Sequence, residues 1–172
     1  MNFNDAPVLN AAAPFLPELT EDDVDNDGTS VELLIRNTVT DVYPDFVRGI
    51  AVWAANGDSW QYRTADADAW EALGTVSESG ALLLQPDARI RFVPDGEFGE
   101  NPNPTISYFA WDQTFIPPPE NDVQVRGDGT PFSVDSDTAS VVVTDVNDLP
   151  VAANVTVAEA EEAALITLTL TA

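Results

Sequence analysis

Thirteen prolines and nine glycines cut this 172-residue chain into short runs, and the runs between them alternate or are briefly apolar. Proline cannot donate to a sheet ladder, so it collects between strands rather than inside them. Period-two runs bounded by such turn residues predict strands. The segments are Ser30–Arg36, Arg48–Ala54, Ser59–Thr64, Ala81–Gln85, Arg89–Val93, Thr105–Trp111, Asp122–Arg126 and Thr138–Thr144. Asn56-Gly57-Asp58 makes a tight turn between the second and third, after which Trp60 and Tyr62 point to one face. Val157–Leu165, rich in Ala and Glu, is the one stretch of note that permits a helix. Apolar residues make up 44% of the chain, with four Trp and eight Phe, which supplies a packed core and argues against disorder. No run reaches the roughly 20 apolar residues that span a bilayer, so no membrane insertion is expected. The expected fold is all-β, an antiparallel β-sandwich.

Charge narrows the function. The chain carries 30 Asp and Glu against 6 basic residues, all Arg, for a net charge of −24, and it has no Lys, His or Cys. Zinc, haem and iron–sulfur sites of the usual kinds need His or Cys. So do thiol nucleophiles, Ser-His-Asp triads and His general bases. Nucleic acid is excluded as a partner, because its phosphates would meet a strongly negative field. Hard cations held by oxygen fit that field, calcium (Ca2+) above all. A glycosidase needs two carboxylates about 5–9.5 Å apart beside an aromatic cleft, but so many acids supply such pairs by chance, and no enzyme is expected. Met1 to Pro7 carry neither a basic start nor an apolar stretch, so no secretion signal is expected there.

The chain also echoes itself. Asn4-Asp5-Ala6-Pro7-Val8 and Asn147-Asp148-Leu149-Pro150-Val151 share the form N-D-x-P-V. Acids follow each after an Ala/Asn-rich stretch: Glu18, Glu21 and Asp22 in the first, Glu159, Glu161 and Glu162 in the second. Such an echo predicts a tandem array, with residues 1–146 as one repeat and 147–172 as a linker and the opening of another. Near the end, Ile166, Leu168 and Leu170 alternate with Thr167, Thr169 and Thr171, which predicts a strand that needs a sheet outside its own repeat.

Asp145-Val146-Asn147-Asp148-Leu149-Pro150 is similar to the D-x-N-D-x-x-P linker of cadherins, with the proline shifted by one. The body resembles the cadherin-like repeats of very large bacterial surface adhesins and RTX-type proteins. The matching pieces are Thr20–Asp23, Thr40–Pro44, Trp60–Arg63, Ala81–Leu84, Arg89–Pro94, Tyr108–Asp112 and Thr138–Asp148, in that order. Two pieces depart from the pattern. The acidic turn reads Asp41-Val42-Tyr43-Pro44-Asp45, so its second Asp is displaced to 45 or lost, and Asp66-Ala67-Asp68-Ala69-Trp70 lacks the hairpin glycine. The resemblance implies an Ig/cadherin-like sandwich with a C-terminal extension strand, in an extracellular or cell-surface protein stiffened by calcium. It implies ligands that meet at one end of the sandwich: Glu21 and Asp22, Asp41 and Asp45, and the linker residues Asp145, Asn147 and Asp148. The implied partners are neighbouring repeats or other copies of the chain, with surface glycans as a further candidate.

Other constellations say less. Asp23, Asp25, Asp27 and Gly28 imitate an EF-hand loop, but the position that should be Glu is Leu34, so only a looser calcium loop stays open. Asp66 with Asp68, and Asp135 with Asp137, are expected as solvated turn acids. Trp53, Trp60, Trp70 and Trp111 are expected in the core or as a Trp60–Trp70 stacking pair, with a sugar platform as the alternative. The expected function is a calcium-binding extracellular structural or adhesive module. A filament subunit that polymerises by strand donation and a carbohydrate-binding module stay open beside it.

Overall fold

A computed structural model describes residues 4–43, 45–114 and 121–149. The chain opens on β1 (Val8–Leu9), β2 (Leu19–Thr20) and β3 (Thr29–Ser30), followed by helix α1 (Val31–Ile35) and β4 (Val39–Thr40). Next come β5 (Gly49–Asn56), β6 (Trp60–Arg63), β7 (Glu71–Ala72), β8 (Leu82–Leu84) and β9 (Arg89–Phe92). The long strands β10 (Thr105–Trp111) and β11 (Phe132–Ser140) lead to β12 (Val143–Thr144). The helix-permissive stretch 157–165, the alternating strand 165–171 and the strand-donation reading built on it lie outside the described residues.

The fold is all-β. One four-stranded antiparallel sheet has the order β11-β10-β5-β8 and another the order β3-β9-β6-β7. Two small ladders complete it, β1 with β4 antiparallel and β2 with β12 parallel. Strand alternation fills the space between the larger sheets. Ile50 and Val52 of β5 and Ile106, Tyr108 and Ala110 of β10 join Trp60, Ile90 and Phe92 of the other sheet in one buried cluster. Each fully buried large side chain there contributes about 1.5–3 kcal/mol. Trp60 meets Phe92 edge-on at 5.4 Å, and its indole N–H donates to the Asn56 carbonyl at 2.9 Å.

Several expectations change. Ser30–Arg36 is not a strand: Val31, Leu34 and Ile35 are buried at helical spacing, and the Ser30 side chain caps the turn by accepting from the Leu33 N–H. Two-residue alternation would have left Leu34 and Ile35 on opposite faces, and the helix buries both. Asp122–Arg126 is an irregular loop with a bend rather than a strand, with Val123 buried and its N–H bonded to the Glu78 carbonyl at 2.7 Å. The expected tight turn at Asn56–Asp58, with Gly57 at φ 94°, is present, and it carries the chain from one large sheet to the other. Trp70 does not stack on Trp60; Arg63 and Arg91 stand 4.8 and 4.2 Å from its ring centroid.

Asp137 is not a solvated turn acid either. It is buried, and its oxygens accept from the N–H groups of Ala12, Ala13 and Thr138. Those bonds clamp the N-terminal segment to β11, so its role is structural. The Tyr108 hydroxyl lies 3.5 Å away, and burial, reinforced by the Asp137 charge, pushes its pKa well above the usual tyrosine value.

Candidate functional site

Residues 4–21 run alongside 129–146 in the same direction, and that pairing places Glu21, Asp22 and the linker acids. The bonds progress from Gly129 N–H to Asn4 O, through Ser140 N–H to Pro14 O and Leu19 N–H to Val142 O, to Glu21 N–H to Thr144 O. One rung further, the ladder ends on a side chain: Glu21 Oε1 accepts from the Val146 N–H at 2.7 Å. Glu21 is 1% exposed, and its second oxygen, Oε2, is buried with no partner among the described residues. An ionised oxygen taken out of water without a donor costs several kcal/mol at the order of magnitude, a cost that a bound cation would offset.

A third segment closes on the same place. Asp95 Oδ1 accepts from the Glu97 N–H at 3.0 Å and turns the chain, and the Gly99 N–H then donates to Asp145 Oδ1. Gly99 is required there, because a Cβ would lie 2.7 Å from the Val143 carbonyl oxygen and 2.9 Å from Asp145 Oδ1. At Gly96, φ is +81° and a Cβ would stand 4.0 Å from the Glu21 carbonyl. Glu21, the loop Asp95–Gly99 and the exit Asp145–Val146 therefore meet at one end of the fold. Asp22, Asp145, Asn147 and Asp148 are exposed around it, and the Asn147 amide donates to the Asp148 carbonyl at 3.3 Å. Asp23 is occupied: it accepts from the Thr20 N–H and hydroxyl, the backbone bond first, which hold its carboxyl below the usual range. Asp25 pairs with Arg91, so the Asp23–Gly28 loop is fastened by its own contacts.

Asp41 and Asp45 lie at the other end. Thr40 pairs with Val8, so Asp41 continues past Val8 toward Asn4. Asn4 donates there to Asp112 Oδ2 at 2.8 Å and to the Thr130 carbonyl at 2.9 Å. Asp41 Oδ1 accepts from the Tyr43 N–H, its Oδ2 is buried without a partner among the described residues, and Asp45 is exposed. Of the seven candidate ligands, Glu21, Asp22, Asp145, Asn147 and Asp148 gather at one end, and Asp41 and Asp45 stand at the other. Among the described residues, no three acidic side chains converge as a ready-made cage for an ion.

The arginines do little to neutralise these acids. Four of them stack on aromatic rings: Arg48 on Phe46, Arg63 and Arg91 on Trp70, and Arg126 on Phe109. Between described residues two ion pairs form, Arg91–Asp25 at 3.4 Å and Arg126–Glu78 at 3.0 Å. The donors left at the Glu21 end are all oxygen, the chemistry that suits calcium. Sequence reasoning missed the Asp95–Gly99 loop, whose D-G-x-x-G spacing reads only as a turn.

No protein-family model, no curated protein and no solved structure matches this chain. Among the described residues no helix is long and apolar enough to cross a membrane.

Proposed function

We propose that this chain is a calcium-dependent structural module: an Ig/cadherin-like sandwich of an extracellular or cell-surface protein that stiffens or links chains without turnover. The observation that carries this reading is the buried Glu21 carboxylate, whose Oε2 lacks a partner among the described residues beside the exit of β12. Glu21, Asp22 and Asp145 would hold calcium there, joined from the linker by Asn147 and Asp148. The ion supplies neutralising charge and a cross-link between the end of β2 and the departing chain. Calcium takes about six to eight oxygens and tolerates irregular cages, which suits donors drawn from separate segments. Asp41 and Asp45 enter this reading as the contribution of a neighbouring copy, whose Asn4 end would follow the Asp148 end in a head-to-tail row.

Melting the chelator-treated protein in calcium, magnesium and sodium chloride at matched ionic strength tests the reading. Calcium at a hundredfold excess over its Kd is expected to add about 2.7 kcal/mol, since only the native state binds it. Magnesium, which prefers a compact octahedron, is expected to add less. Glu21→Gln should abolish the calcium increment while the metal-free protein keeps its fold. Equal melting in all three salts would sink the proposal.

A further inference from the structure

The outer side of the β11-β10-β5-β8 sheet carries a second apolar cluster, separate from the core between the large sheets. Ala51, Ala81, Phe109, Val123 and Phe132 are buried in it, with Trp53, Leu83 and Trp111 packed against them. Strand alternation puts it there: Ala51 and Trp53 of β5 face away from Ile50 and Val52, as Phe109 does from Tyr108. Trp53 lies stacked on Phe109, centroids 5.7 Å apart and planes at 22°. At the margin of this cluster a shallow cleft of about 410 Å³ is lined by Trp53, Val76, Ser77, Glu78, Ser79 and Gln124.

Its polar groups are held in place and keep unused bonding capacity. Glu78 Oε1 accepts from Arg126 at 3.0 Å, and the Gln124 amide nitrogen donates to the Asp122 carboxylate at 3.0 Å. Among the described residues this leaves Glu78 Oε2 and Gln124 Oε1 as acceptors, and the Ser77 and Ser79 hydroxyls, 3.2 Å apart, as donors and acceptors both. The cleft is also preorganised. Ser77 and Gly80 exchange backbone bonds, the Val123 N–H donates to the Glu78 carbonyl, and the Ala81 N–H donates to the Asn121 carbonyl. Both walls are thereby fixed to each other.

An aromatic platform rimmed by hydroxyl, amide and carboxylate oxygen has the chemistry that recognises a pyranose: the indole takes the apolar C–H face and the rim takes the hydroxyls. We propose that the Trp53 cleft is a binding subsite for a neutral polysaccharide. Neutrality follows from charge. Glu78 lines the cleft and Asp122 stands behind its Gln124, in a chain with net charge −24, so a uronate or sulfated glycan would be repelled.

Native affinity gels containing hydroxyethyl cellulose, laminarin or galactomannan, with polygalacturonate as the anionic comparison, test the subsite in calcium and in chelator. At least one neutral polymer is expected to retard the protein, in both buffers, and polygalacturonate is not. Gln124→Ala and Glu78→Gln, both outside the apolar cluster, should each weaken binding about three- to tenfold. Trp53→Ala should abolish it; because that change also opens the stack on Phe109, the two rim variants carry the test independently. Retardation by no neutral polymer, unchanged retardation in the rim variants, or stronger retardation by polygalacturonate would each overturn the proposal.

Discussion

Glu21, Asp22 and Asp23 are three neighbouring acids with three fates, and the pairing of β2 with β12 decides among them. Glu21 is drawn under the exit of β12, Asp22 is left in solvent, and Asp23 turns back to cap Thr20. Their acidity is legible in the sequence, but which of them is buried is not, because the partner strand lies more than a hundred residues away. Gly99 tests how tightly this end is built. Gly99→Ala would press a methyl group against a backbone carbonyl that cannot yield, so a loss of about 1–3 kcal/mol is expected, together with the calcium increment. Gly74→Ala is the comparison: nothing stands within 4 Å of its Cβ, and only its φ of +67° opposes the change, at a cost of about 1 kcal/mol. Urea midpoints of the two variants measure the difference. Equal losses would mean that the 95–99 loop is not packed on Asp145 as described.

Elements were legible where a run is long enough for its alternation to sort residues between two faces, and least legible where a short run serves two periods at once. Thr105–Trp111 was read with its observed bounds because it is a central strand whose alternate residues feed two different clusters. Ser30–Arg36 failed because the four Val, Leu and Ile residues of Val31–Ile35 satisfy a strand by composition and a helix by spacing, and the cap tips the balance. Ser30→Ala removes that cap. It is expected to cost about 0.5–2 kcal/mol in urea or thermal unfolding, with the fold retained because Val31 and Ile35 stay buried. A change below the measurement error would show that core burial alone holds α1. Asp122–Arg126 was misread for another reason: Val123 is apolar because it covers the outer cluster from a loop, a role with no period of its own.

At the scale of the whole molecule, the 24 net negative charges have few internal partners, since most of the arginines lie on aromatic rings and only two ion pairs form between described residues. Repulsion among exposed acids is therefore larger than any attraction that salt could weaken. Two like charges at 4 Å in water cost about 1 kcal/mol, and the screening length falls from about 10 Å at 0.1 M salt to about 3 Å at 1 M. Stability is expected to rise with sodium chloride over that range, and equally with potassium chloride, because screening depends on valence rather than identity. The rise should flatten near 1 M, where neighbouring charges no longer sense one another. Calcium added at that plateau separates the two electrostatic effects: an ion held against a buried carboxylate is screened far less than surface charge, so a further increment is expected in the native protein and none in Glu21→Gln. Denaturant midpoints across the salt series decide it. A flat or falling salt dependence would remove the repulsion argument, while loss of the calcium increment at high salt would reduce Glu21 to one more acid in a general negative field.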